Sequence, residues 1–210
     1  MTQNSINTPA LFNKGDLLFG QGGGLNPAIL AAAANGLVLT LDNTQPTGTK
    51  WASAGSSKIA QMVSASTASF IDVSATFPHD NTIPQNTEGE EILTVSITPT
   101  NASSQLIVWG QAQGVAFFSG TFGAMMACLF RDSIANALAI AGANSNVGMW
   151  ASVPLLHFTT AGSTSPTIFK MRVGLENTAG SPHFYVNGNS GGRLYGGASL
   201  CYLMVAEITP

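Results

Sequence analysis

The chain has 210 residues, 45% of them hydrophobic and only 8% charged, with a formal net charge of −3. That balance argues against a disordered chain, because disorder goes with few apolar and many charged residues, and it gives no electrostatic case for binding nucleic acid. No apolar run approaches the ~18 residues of a membrane-crossing helix, and the N-terminus lacks the basic head and apolar core of a signal peptide.

Residues 1–58 read differently from the rest. Lys14-Gly15-Asp16 opens a short strand over Leu17, Leu18 and Phe19, and glycines 22–24 follow as a loop. Residues 25–34 fit a helical turn or a loop. Asn35-Gly36 is a hairpin signal, Leu37 to Leu41 is a strand, and Trp51 ends the unit as its apolar anchor. Strands this short bury too little to form a core alone. Residues 59–86 are rich in Ser, Ala and Thr and read as a linker, with some strand character at Phe70, Ile71 and Val73.

From residue 87 strand follows strand. Residues 91–98 alternate, with Leu93, Val95 and Ile97 on one face. Leu106 to Trp109 is short, residues 123–130 are apolar on both faces, and Leu138 to Ile140 is short again. Residues 150–158 and 167–175 follow, the latter alternating Phe169, Met171 and Val173 against Lys170 and Arg172. A short strand at 183–187 and a long one at the C-terminus complete the set. Regular turn signals between such strands predict an all-β antiparallel sandwich, with a jelly roll as the simplest closure.

The last strand is the key one. Leu200, Tyr202, Met204, Ala206 and Ile208 point one way, and Cys201, Leu203 and Val205 the other. A half-exposed strand would alternate with polar residues, so both faces should be covered, one of them by further copies of the chain. Leu200, Tyr202, Leu203, Met204, Met125 and Leu129 are the expected interface and core residues.

Two stretches resemble known groups. Gly15-Asp16-Leu17-Leu18, the glycine turn, Asn35-Gly36-Leu37-Val38-Leu39-Thr40 and Thr47-Gly48-Thr49-Lys50-Trp51 resemble a module of bacteriophage fibre proteins that precedes a trimeric shaft or head. Ala31 to Ala34 depart from its pattern. The order of Glu91-Ile92-Leu93, Ala102-Ser103-Ser104-Gln105-Leu106-Ile107-Val108, Cys128-Leu129-Phe130-Arg131-Asp132, Ser165-Pro166-Thr167-Ile168-Phe169-Lys170-Met171 and the terminal Val205-Ala206-Glu207-Ile208 is similar to phage fibre heads with a C1q/TNF-like jelly roll. The resemblance implies a homotrimer: an extended virion-attachment segment over 1–58, with Leu17, Leu18, Phe19, Leu39 and Trp51 as attachment residues, a linker over 59–86, and a jelly-roll head over 87–210. It implies location in the virion, contact with tail, baseplate or capsid proteins, and a tail-fibre or receptor-binding role toward host polysaccharide or protein. The rival is a capsid decoration protein.

Signs of chemistry are sparse. His79, His157 and His183 lack metal-ligand spacing. Glu88, Glu90 and Glu91 invite comparison with the paired carboxylates of glycosidases, but a charged guard on an edge strand explains them. The glycines at 20–24 are followed by no Gly-Lys-Ser/Thr, so no phosphate cradle is expected. Trp109 and Trp150 are candidates for stacking on sugars, with core packing as the alternative. Cys128 and Cys201 lie in apolar runs and read as buried thiols. No enzyme and no cofactor is expected. The polar loops at 142–148 and 187–192 are the exposed candidates for partner contact.

Overall fold

A computed structural model describes residues 13–21, 23–25, 27–54, 58–117, 123–145, 148–176 and 182–210. The chain divides into compact units Met1–Ser56 and Ser57–Pro210.

In the first unit, β1 (Leu17–Phe19) pairs antiparallel with β2 (Ala28–Leu30), and β3 (Leu37–Leu41) with β4 (Thr49–Ser53). Residues 28–30 are thus a strand, where a helical turn or loop was expected. Asn35-Gly36 does turn the chain, with Gly36 at φ 90°, but it separates two sheets instead of closing one hairpin. The Asp16 carboxylate accepts the backbone N–H of Ala32 (2.7 Å) and of Asn13 (2.8 Å), and these bonds lower its pKa. The Trp51 indole N–H donates to Ala31 O at 2.8 Å. Polar ties therefore hold this unit where apolar burial is scarce.

The second unit is a jelly roll. Its strands are β5 (Ile59–Thr67), β6 (Ile71–Val73), β7 (Thr76–Phe77), β8 (Glu90–Ile97), β9 (Gln105–Phe117), β10 (Gly123–Arg131), β11 (Ala139–Ser145), β12 (Trp150–Thr160), β13 (Thr167–Glu176), β14 (His183–Val186), β15 (Gly188–Asn189), β16 (Gly192–Arg193) and β17 (Cys201–Ile208). One sheet has five strands, β11-β10-β13 with β8 and the short β7 beside β13. The other has six: β12 and β9, then β17 and β14 end to end along β9, then β5 and β6. The chain passes between the sheets at β6–β7, β8–β9, β9–β10, β11–β12, β12–β13 and β13–β14, so most neighbours in sequence lie in opposite sheets.

Residues 59–86, expected as a linker, instead supply β5, β6 and β7. β5 pairs with β17 along its length. Its Ser and Ala residues mask a two-residue period in which Gln61, Val63 and Ala65 are half-buried while Met62, Ser64 and Ser66 are exposed. β7 extends the five-stranded sheet beside the end of β13, and Pro84 and Asn86 then bond to the backbone of Ala137 and Ala135. Phe77 joins Cys128 and Phe130 in a small second core, which covers the outward apolar face of β10 from within the same chain.

The main core lies between the sheets and includes Leu93, Val95, Ile97, Leu106, Val108, Met125, Leu129, Phe169, Met171, Leu203 and Val205. Of the residues expected at the interface or in the core, Leu203, Met125 and Leu129 lie in this core. Burial pushes the Cys128 thiol up to about 12 and the Cys201 thiol up to about 11, so both are inert thiols at neutral pH. On the edge strand β12, paired only with β9 among the described residues, Pro154 sits in mid-strand. An edge is where a sheet tolerates a residue with no N–H.

One end of the sandwich is closed by polar side chains. Glu207 is fully buried. Its carboxylate accepts from Gln61 Nε2 (2.7 Å), from Thr100 N (2.8 Å) and Oγ1 (2.8 Å), and from Asn101 N (3.2 Å). Burial alone raises a carboxyl pKa, but these donors outweigh it and hold Glu207 down to about 2. Nearby, Arg131 donates to Ala161 O (2.6 Å) and Thr160 O (3.2 Å).

Two predictions follow from this core. Leu203→Ala removes buried volume and costs about 2–5 kcal/mol in chemical denaturation. Glu207 has a folded-state pKa below its unfolded value of 4.5, so its contribution is present above pH 4.5 and is lost as pH falls through about 2. Glu207→Gln is accordingly less stable at neutral pH, and its deficit in melting temperature shrinks over that acid range; a pH-independent deficit would contradict the assignment.

Candidate functional site

The outward face of the six-stranded sheet is built from cross-strand rows, because residues directly opposite in a ladder share a face. One row runs Met62, Ala206, Ile107, Phe158, and the next runs Ser64, Met204, Trp109, Leu156. A third runs Ser66, Tyr202, Gln111, Pro154. None of these twelve side chains is charged. Met62 and Leu156 are each 58% exposed and Phe158 60%, while Ile107, Trp109, Tyr202 and Met204 are half-buried. A contiguous apolar area of this kind marks an interaction surface. It comes from β12, β9, β17 and β5 together, so the last strand contributes only part of it. Of the residues expected at an interface, Tyr202 and Met204 lie here and Leu200, 43% exposed, precedes the strand. Sequence reading missed Met62, Ile107, Leu156 and Phe158, whose signal was an apolar residue at outward positions of adjacent strands.

Along β9 the face then turns polar and aromatic. Gln113 pairs in register with Ser152, and Val115 with Trp150 and Tyr185. Tyr185 stacks between Phe70 and His183, and His183 Nδ1 lies 2.6 Å from the Asp72 carboxylate. The loop from Asn187 to Ser199 borders this end. Of the two loops expected to be exposed, residues 187–192 form a small hairpin of β15 and β16 anchored by a buried Asn187, and residues 142–145 belong to β11; residues 146 and 147 lie outside the described set.

The other candidates resolve as structural contacts. Glu91 accepts from Thr94 Oγ1 (2.6 Å) and lies 3.6 Å from Lys170 and 3.7 Å from Arg172. Glu88 accepts the N–H of Gln85. Glu91 borders a mixed-charge hollow of about 520 Å³ with Asp132, Lys170 and Arg172. His79 contacts Glu176, and His157, on the inward face of β12, has its pKa lowered by burial. The three histidines stay apart, and no cluster of three metal-ligating side chains exists among the described residues. In the first unit Leu18 and Leu39 are exposed and Leu17, Phe19 and Trp51 half-buried; Trp51 borders a hollow of about 420 Å³ with Lys14, Ala32 and Asn35.

No family model and no curated sequence matches the chain. Among solved structures it is similar to the Eiger TNF of S. frugiperda, at 14% identity over 70% of this chain and 93% of the other, with a TM-score of 0.40. It is also similar to a protein of the infectious bursal disease virus Gt strain, at 17% identity over 90% of this chain and 46% of the other, with a TM-score of 0.40. A third similarity is to the C-terminal domain of EclA, a sugar-binding protein, at 13% identity over 60% of this chain and 75% of the other, with a TM-score of 0.30.

Proposed function

We propose that this chain is a non-enzymatic structural protein of a bacteriophage virion, assembled as a homotrimer, whose jelly-roll unit binds the host surface and whose first unit attaches it to the particle. The uncharged apolar rows of the six-stranded sheet carry the reading. An area with Met62, Leu156 and Phe158 largely exposed is unfavourable in water, and further copies of the same chain are its simplest cover. The fibre-like sequence module of residues 15–51 supports the attachment role. Three sites on a trimer, and many trimers on a particle, bind a repetitive surface firmly even when each site is weak.

The mass in solution tests the assembly. At micromolar concentration the protein should have three times the 21.6 kDa mass of the chain. Met204→Asp and Leu156→Asp place an unpaired charge in the covered face, so both should give folded monomers, whereas Leu203→Asp should not fold. A monomeric wild type, or trimers that survive both outward substitutions, would overturn the reading. Labelling the protein on purified particles separates the roles: signal on the tail supports receptor binding, and signal on the capsid face transfers the protein to decoration. Release of fragments from host polysaccharide by the purified protein would overturn the non-enzymatic assignment.

A further inference from the structure

The polar end of the six-stranded sheet holds a feature that the apolar rows do not use. Gln113, Trp150, Tyr195, Ala198 and Ser199 line an open cleft of about 400 Å³. The rings of Trp150 and Tyr195 meet edge to face, 5.3 Å between centroids at 76°. Tyr195 is 68% exposed, yet its backbone is in the left-handed region at φ 56°, followed by Gly196 at 60° and Gly197 at 94°. An aromatic residue in that conformation is strained, and here no burial of the ring offsets the strain. Residues held in this way concentrate at ligand sites.

The support beneath the ring is rigid. Asn187, buried and at φ 55°, donates to Thr67 O (3.0 Å) and Ser69 O (3.1 Å) and accepts from Ser199 Oγ (2.9 Å). Ser199 in turn accepts from Gln113 Nε2 (3.0 Å), which also donates to Leu200 O (3.0 Å). Both amide hydrogens of Gln113 are thereby committed, and its Oε1 is turned toward Gln111 Nε2 (3.3 Å) and Ser152 Oγ (3.4 Å). Those two bonds are long, so hydroxyl groups of a ligand can compete for the acceptor.

We propose that this cleft binds a neutral saccharide, one pyranose ring laying its C–H face on one of the two perpendicular rings of Trp150 and Tyr195 and its edge against the other, while its hydroxyls meet Gln113 in the lining and Ser152 beside it. Two fixed aromatic rings offer amphipathic contact at little entropic cost, and their negative faces attract polarised C–H groups. The lining carries no charge, so a phosphate or carboxylate gains no partner. Arg193, the cation of this loop, lies against Gly197 and does not line the cleft. The inference gives a ligand class to the receptor-binding reading and rests on it for biological use, though not for its chemistry.

The test uses the whole chain on an array of neutral and acidic glycans, followed by titration of the best neutral hit with tryptophan fluorescence as readout. A neutral glycan should bind and change the emission. Trp150→Ala, Tyr195→Ala and the cleft-filling Ala198→Phe should each weaken binding by about tenfold or more with the solution mass unchanged. Tyr195→Phe, which keeps the ring, should stay within about twofold. Binding that survives Tyr195→Ala and Ala198→Phe, or binding to acidic glycans alone, overturns the proposal. So does a protein that adheres to host cells but to no glycan, an outcome that leaves the receptor reading intact. Glycan binding lost in those variants, by a protein found only on the capsid face, keeps the cleft and removes the receptor reading.

Discussion

The second unit depends on how β9 is shared. This 13-residue strand pairs with β12 along one side, and on the other first with β17 and then with β14. Along this side the β9 backbone comes close to both neighbours at two positions. Glycine stands at both: a Cβ at Gly110 would lie 2.8 Å from Tyr202 O, and one at Gly114 would lie 2.0 Å from Tyr185 O. The spine of the sheet is thereby fixed by two missing side chains, and the apolar rows and the aromatic cleft inherit their positions from it.

The same strand separates two kinds of surface. Toward Gln105 its outward neighbours are Ile107 and Trp109, flanked by Met204, Leu156 and Phe158. Toward Phe117 they are Gln113 and Val115, flanked by Ser152, Trp150 and Tyr185. Buried polar groups stabilise the periphery at each end, with Glu207 taking donors from residues 100 and 101 and Asn187 tying the loop base to β5 through Thr67. Each of these groups is well bonded, as a polar group must be when it leaves water.

Legibility in the sequence followed side-chain contrast. Leu93, Val95 and Ile97 alternate with polar residues, as do Phe169, Met171 and Val173, and both strands stand where the period placed them. β5 was hidden because Ala, Ser and Thr give almost no contrast between faces, and residues 110–117 of β9 because glycines and glutamines interrupt the apolar run. Reading β17 alone showed that its outward residues wanted cover, but the shared surface needed the register of four strands. Tyr195 was passed over because glycines beside it signal a turn; only coordinates reveal a strained ring set against Trp150. Glu207, a single acid at the end of an apolar strand, carries no local mark of the donors that reach it from residues 100 and 101.

Pro154 has a further consequence. β12 is the margin of its sheet, and a strand laid alongside it would find a gap in the ladder at Pro154. Ribbon-like growth through the main chain is therefore obstructed on this side, as in sheets guarded against aggregation. A molecule that approaches this edge therefore meets it through side chains and not through an added strand.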